Sequence, residues 1–195
     1  MQSYAGGMRK ISVFNSITLD GFFTDTKNSI SLFHRKNDPE WNRFASENAA
    51  TRGSTLVFGR KTYELMKSYW PTDQARRDLP EVAAGMEAME KVVFSRTLRE
   101  PGWKNARLVK GDLVNEVRKL KEGTGNPMLI MGSGSIVSQL TKERLIDSYT
   151  MVIWPIVLGA GRTMFEGVEG IVDLEKVDEK TFTNGNIVAT YELAK

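Results

Sequence analysis

An α/β fold with a mostly parallel central sheet, flanked by helices and finished by an antiparallel C-terminal hairpin, is predicted by three observations. Short apolar runs at Thr55-Leu56-Val57-Phe58, Lys91-Val92-Val93-Phe94-Ser95 and Met128-Leu129-Ile130-Met131 are too short for helices and read as buried strands. Helical patterns alternate with them, and that alternation argues for parallel pairing. Near the end of the chain two alternating stretches, Val172 to Val177 and Ile187 to Leu193, flank Asn184-Gly185, a strong hairpin signal.

In order along the chain, residues 1–8 read as a flexible leader, with Met8 a candidate natural start, and residues 9–195 as a single domain. Lys10 to Ile17 forms the first strand and runs into Thr18-Leu19-Asp20-Gly21, where Asp-Gly marks a turn. Residues 24 to 37 are polar and loop-like. Asp38-Pro39-Glu40 starts a helix, with Asp as cap, Pro in the first turn and an acid at the positive end. Trp41, Phe44, Ala45 and Ala49 mark its apolar face, and Gly53 closes it.

The strand at 55–58 meets Gly59-Arg60-Lys61-Thr62 and then a helix through Tyr63, Leu65 and Met66. Residues 68 to 90 read as irregular. Strand 91–95 ends in Ser95-Arg96-Thr97. Asp112 caps a helix with Leu113, Val114, Val117 and Leu120 on one side, and Gly123 ends it. Strand 128–131 meets Gly132-Ser133-Gly134-Ser135, and Ser135 caps a helix carrying Ile136, Val137 and Leu140. Tyr149 to Leu158 reads as one long strand whose Pro155, unable to donate to a ladder, belongs at an edge or bulge.

Composition narrows the function classes. The chain has 195 residues, 41% of them hydrophobic, enough for a sizeable core. There is no cysteine and a single histidine, so no thiolate metal site is possible, and no metal is expected. The net charge is only +3 and the cations are scattered, which argues against nucleic acid as partner. No apolar run of membrane-spanning length and no signal-peptide pattern occurs, so no membrane partner and a cytoplasmic protein are expected.

Three strand ends share a chemical character. Gly59-Arg60-Lys61-Thr62, Ser95-Arg96-Thr97 and Gly132-Ser133-Gly134-Ser135 offer backbone N–H groups and hydroxyls, and two of them add cations. Ligands of open α/β sheets bind at the carboxyl ends of strands, and helix N-termini favour anions. Three such turns suit a dinucleotide, and Arg60, Lys61 and Arg96 suit an extra phosphate, which favours NADPH. The usual dinucleotide fingerprint is absent: Val137 stands where its third glycine belongs, and no acid follows on the next strand. The plainer reading makes each turn a tight βα connection with solvated cations. Proton donors are sought in Asp20, Asp38 and Glu40, since a carboxyl in a dry pocket with a raised pKa serves that role. Asp38 is equally a helix cap and Asp20 equally the first residue of a turn. Phe22, Trp41, Tyr69 and Trp70 are candidates to stack on a flat heterocycle, although such aromatics are more often core.

These residues resemble a family. Ser16-Ile17-Thr18-Leu19-Asp20-Gly21, Phe58-Gly59-Arg60-Lys61-Thr62-Tyr63-Glu64, Tyr69-Trp70-Pro71, Val93-Phe94-Ser95-Arg96-Thr97-Leu98, Ile130-Met131-Gly132-Ser133-Gly134-Ser135 and Leu145-Ile146-Asp147 running on to Pro155-Ile156-Val157-Leu158-Gly159-Ala160-Gly161 are similar, in order, to the dihydrofolate-reductase-like fold. The nearest resemblance is to the C-terminal reductase domain of the bacterial riboflavin biosynthesis deaminase-reductase and its stand-alone relatives. It implies a three-layer fold and NADPH. The turns at Gly59–Thr62 and Gly132–Ile136 would hold the phosphates, with Ser95 and Arg96 near the adenosine. It also implies hydride transfer to a pterin-like or ribosylaminopyrimidine substrate, and a homodimer. The chain departs from the family at Ser148, where an acid often follows the Asp, and no deaminase motif precedes the domain. Two functions stand: a reductase of a small heterocycle, and a nucleotide-binding protein without chemistry that serves in sensing or resistance. The apolar stretch around Trp154 is an expected face for a second copy, and Trp154 is at least equally expected as ordinary core beneath the terminal hairpin.

Overall fold

The computed structural model describes residues 8–34, 38–48 and 53–194. The elements run β1 (Ile11–Thr18), β2 (Phe22–Thr24), a 3-10 turn (Ser31–His34), α1 (Pro39–Asn48), β3 (Thr55–Gly59), α2 (Arg60–Tyr69), α3 (Asp73–Asp78) and α4 (Pro80–Ala88). They continue with β4 (Lys91–Phe94), β5 (Ala106–Val109), α5 (Leu113–Glu122), β6 (Met128–Met131), α6 (Gly134–Lys142), β7 (Ser148–Trp154), β8 (Arg162–Thr163), β9 (Leu174–Thr181) and β10 (Ile187–Leu193).

The large sheet has the order β5-β4-β3-β6-β1-β7-β10-β9. Its pairs from β5 to β7 are parallel, while β10 runs antiparallel to both β7 and β9. β2 and β8 pair separately beside the carboxyl end of β1. Alternation along the central strands sorts their side chains onto two faces. Val57, Met128 and Ile130 join Val117, Val137 and Leu140 of α5 and α6. Leu56, Phe58 and Leu129 join Tyr63 of α2, Met86 of α4 and Trp103 on the other side. Helices on both faces of one sheet make the predicted three layers, and burial of a side chain such as Phe58 contributes about 1.5–3 kcal/mol.

Several sequence expectations change. The stretch 68–90 is not irregular but holds α3 and α4: the Thr72 hydroxyl accepts from the Ala75 N–H at 3.2 Å, and Pro80 occupies the first turn of α4. β5 was not foreseen, because its alternation of Arg107 with Leu108 is short and half-exposed. β7 stops at Trp154 rather than Leu158. It is an interior strand, and Pro155 ends it instead of marking an edge or bulge. Of the two expectations for Trp154 the core one holds: it is 4% exposed and packs on Phe33 and Trp41 at 5.7 and 5.6 Å between ring centroids. The leader, Ala49 and the end of the first helix lie largely outside the described residues; α1 is described to Asn48.

Candidate functional site

β3 and β6 are neighbouring parallel strands, with Val57 opposite Ile130, so the turns that follow them lie side by side at the carboxyl edge of the sheet. They are also bolted together. The Gly59 N–H donates to Ser133 Oγ at 2.9 Å, and the Ser133 N–H donates to Thr62 Oγ1 at 3.0 Å. From β1, Asn15 accepts from the Gly132 N–H at 2.5 Å and donates Nδ2–H to the Gly132 carbonyl at 3.3 Å.

The second turn is held in an uncommon conformation. Gly132 has φ 67°, and a Cβ there would stand 2.7 Å from Thr62 Cγ2. Ser133, a non-glycine, also sits in the left-handed region at φ 58° and ψ 53°. Such a residue costs of order 1–3 kcal/mol and persists only where its surroundings fix it. Here Asn15, Thr62 and Gly59 do so. Ser133, not Ser135, occupies the cap position of α6, and its hydroxyl serves Gly59 instead of the helix.

Neither α2 nor α6 therefore has a side-chain cap. Both helices open on one cleft of about 730 Å³, within the range of small-molecule sites. Their first N–H groups lack intrahelical acceptors and carry the positive end of the helix dipole. Of the candidate cofactor residues, Gly59, Arg60, Lys61, Thr62, Gly132, Ser133, Gly134 and Ser135 line this cleft. Ile136 lies beneath it, buried in the core with its Cδ1 3.6 Å from the Cβ position of Gly59. Ser95 and Arg96 follow β4, whose Phe94 pairs with Gly59. They stand one strand further out at the same edge, outside the cleft lining. Ser95 Oγ accepts from the N–H groups of Thr97 and Leu98 and so shapes its own turn.

The three acid candidates are engaged elsewhere, and none lines the cleft. Asp20 accepts from the Thr18 hydroxyl at 2.6 Å and from the Gly159 N–H at 2.8 Å, pinning the loop after β7 to the end of β1. Those bonds, the Thr18 hydroxyl first, hold its carboxyl below the usual carboxylate range. Glu40 accepts from the N–H and hydroxyl of Thr183, and those bonds lower its pKa too. Both shifts run opposite to what a neutral-pH proton donor needs. Asp38 accepts from the Glu40 and Trp41 N–H groups, as a helix cap does.

The aromatic candidates also stand outside the cleft lining. Trp41 packs edge-on to Trp154 and Phe182. Trp70 donates Nε1–H to Met66 Sδ, and Phe22 borders Gly161 outside the cleft. The cleft is lined instead by Phe14, Phe23, Phe33, Thr24, Asn15 and Arg162. The signal for Phe23 and Arg162 lay only in the pairing of β2 with β8, which a local pattern of two or three residues cannot announce. Among the described residues no group of His, Cys, Asp or Glu could hold a metal ion, and no helix is long and apolar enough to cross a membrane.

Comparison with known proteins agrees with this geometry. The chain is 27% identical over 183 residues, 94% of each protein, to the uncharacterized protein YyaP of Bacillus subtilis strain 168. Its fold is similar to that of a putative riboflavin biosynthesis protein from Shewanella sp. PV-4, with TM-score 0.76, 24% identity and coverage of 95% of this chain and 99% of that one. It is also similar to dihydrofolate reductase from Enterococcus faecalis complexed with NADP(H), with TM-score 0.62, 16% identity and coverage of 97% and 99%. The family model described as the RibD C-terminal domain matches residues 9–188, nearly all of the described fold, and the chain therefore belongs to the RibD C-terminal domain family.

Proposed function

We propose that the protein is an NADPH-dependent reductase of a small heterocyclic substrate. The observation that carries this reading is the pair of uncapped helix N-termini, α2 and α6, opening on one cleft beside Arg60 and Lys61. The N–H groups of Arg60, Lys61, Gly134 and Ser135 would hold the phosphates. The guanidinium of Arg60 and the ammonium of Lys61 would take the additional phosphate of NADPH. The cofactor, when bound, supplies a hydride; the chain supplies its binding and orientation. Family membership and the likeness to a dihydrofolate reductase that binds NADP(H) support the assignment.

A second reading, a nucleotide-binding protein without chemistry, is favoured by one observation: Asp20, Asp38 and Glu40 all anchor loops or cap a helix, and none lines the cleft. Titration of the purified protein with NADPH and NADH, followed by nicotinamide fluorescence, tests the common ground. Tight NADPH binding with weaker NADH is expected, and absence of NADPH binding overturns both readings. Oxidation of NADPH across a panel of pterins and pyrimidines then separates them.

A further inference from the structure

The cleft wall is charged unevenly. Arg60, Lys61 and Arg162 line it, and among the described residues of the lining Glu64 is the one carboxylate. It stands one turn after Arg60 on the same face of α2, and both of its oxygens lie on a single guanidinium nitrogen, Nη1, at 3.3 and 3.4 Å. Nη2 and Nε of Arg60 have no acceptor among the described residues and stay available to an anion. The two side chains are 45% and 46% exposed, so the cation and its counter-charge are both open to whatever enters.

Helix stability does not account for the pair. An arginine at the first position of a helix sits at the positive end of the dipole, where an acid is preferred, and α2 has no acid in its first turn. Arg followed by Glu four residues on is also the weaker order for such a pair, and an exposed pair contributes little. What the arrangement does is set a negative charge beside the cations assigned to the additional phosphate of NADPH. A phosphate taken by the free nitrogens of the Arg60 guanidinium meets the Glu64 carboxylate as a like charge across that same group. The ribose hydroxyl that NADH carries at the same atom meets instead a charged acceptor, the kind of group that holds such hydroxyls in NAD sites.

Resting on the NADPH-dependent reading of the cleft, we infer that Glu64 is the residue that determines how sharply the site tells the two cofactors apart. Its carboxylate opposes the 2′-phosphate, accepts from the 2′-hydroxyl, and so narrows the preference for NADPH that Arg60 and Lys61 create.

Binding, not turnover, tests this. NADPH, NADH, 2′,5′-ADP and 5′-AMP are titrated into the wild-type protein and into Glu64→Gln, which keeps the shape of the side chain and removes its charge. NADPH should bind Glu64→Gln about threefold more tightly or better at low ionic strength, the factor that Coulomb's law gives for like unit charges about 6 Å apart in water. NADH should hold or weaken, 2′,5′-ADP should follow NADPH, 5′-AMP should follow NADH, and added salt should shrink the gain. Glu64→Ala should act in the same direction, with circular dichroism confirming that both variants are folded. An unchanged ratio of NADPH to NADH affinity overturns the inference, as does equal tightening of both cofactors, which would place the effect at the shared phosphates. So does weaker NADPH binding, which would make Glu64 a residue that holds Arg60 in place for the phosphate. All three outcomes leave the NADPH reading standing. A wild-type protein that binds no NADPH defeats both.

Discussion

Gly59 and Ser133, 74 residues apart in sequence, are joined by a 2.9 Å hydrogen bond from the backbone N–H of one to the hydroxyl of the other. The bond ties the first turn of α2 to the first turn of α6 and leaves Ser133 no hydroxyl for capping its own helix. Ser133→Ala strands the Gly59 N–H in a half-buried place. A loss of about 1–3 kcal/mol of stability is expected, with NADPH affinity falling as the turns part. Urea denaturation and NADPH titration measure the two effects. A variant with wild-type values in both shows that the bond does not set the site.

Asn15 holds the same turn from the opposite side, through both polar groups of the Gly132 peptide unit, and also donates to Met164 Sδ at 3.3 Å. Asn15→Leu keeps the branched shape of the side chain, with some added bulk, but leaves that peptide unit unpaired. We expect about 1–3 kcal/mol of destabilisation and a weaker grip on NADPH. An unchanged NADPH dissociation constant in the folded variant contradicts this role.

Arg60 projects from the first position of α2 and pairs with Glu64, both side chains near half-exposed. Such a pair is weak and leaves the guanidinium recruitable by a phosphate. Arg60→Ala should weaken NADPH by about 1–2 kcal/mol, and NADH by much less. Added salt should shrink the difference. Parallel losses for the two cofactors would remove the extra-phosphate role from this residue.

Lys91 is fully buried, donates to the carbonyls of Glu87, Met89 and Lys104, and lies 4.5 Å from the centre of the Trp103 ring. Burial pushes its ammonium down to about 8 from 10.5. The folded protein therefore sheds this proton before the unfolded chain does. Between those values the unfolded chain binds more protons, and the Lys91 contribution to stability rises with pH. Tyr63, pushed up to about 12 by burial, acts in the opposite direction above pH 10. The difference between wild type and Lys91→Met isolates the lysine: stability should gain on the variant from pH 8 to 10. A difference independent of pH would show that Lys91 does not titrate in this range.

Trp154 donates Nε1–H to Ser16 Oγ at 3.2 Å and sits in an aromatic cluster with Phe33, Trp41 and Phe182. Trp154→Ala should cost about 3–5 kcal/mol, and Trp154→Glu should unfold the chain instead of splitting a dimer. Circular dichroism with sedimentation separates the outcomes. A folded, monomeric Trp154→Glu would return this residue to a subunit interface.

The strand–turn–helix units around Gly59 and Gly132 and the hairpin at Asn184-Gly185 were determined by the sequence itself. Each depends on neighbours within about ten residues: apolar period, glycine at a turn, cap residue. Those local rules put Gly59, Arg60, Lys61, Thr62 and Gly132 to Ser135 in turns that follow strands, and the pairing of β3 with β6 brings the two turns to one cleft. The same rules left Asp20, Asp38, Glu40, Trp41 and Trp70 open between a chemical and a structural role. Only the tertiary structure decided, because the partners of those side chains come from distant segments: Asp20 meets Gly159, Glu40 meets Thr183, Trp41 meets Trp154. Arg162 and Phe23 became neighbours by the same means, through a two-strand pairing across some 138 residues of intervening chain that no periodicity records. Local sequence sets backbone conformation; which side chains end up facing a common space is set by strand order, and strand order depends on long-range pairing.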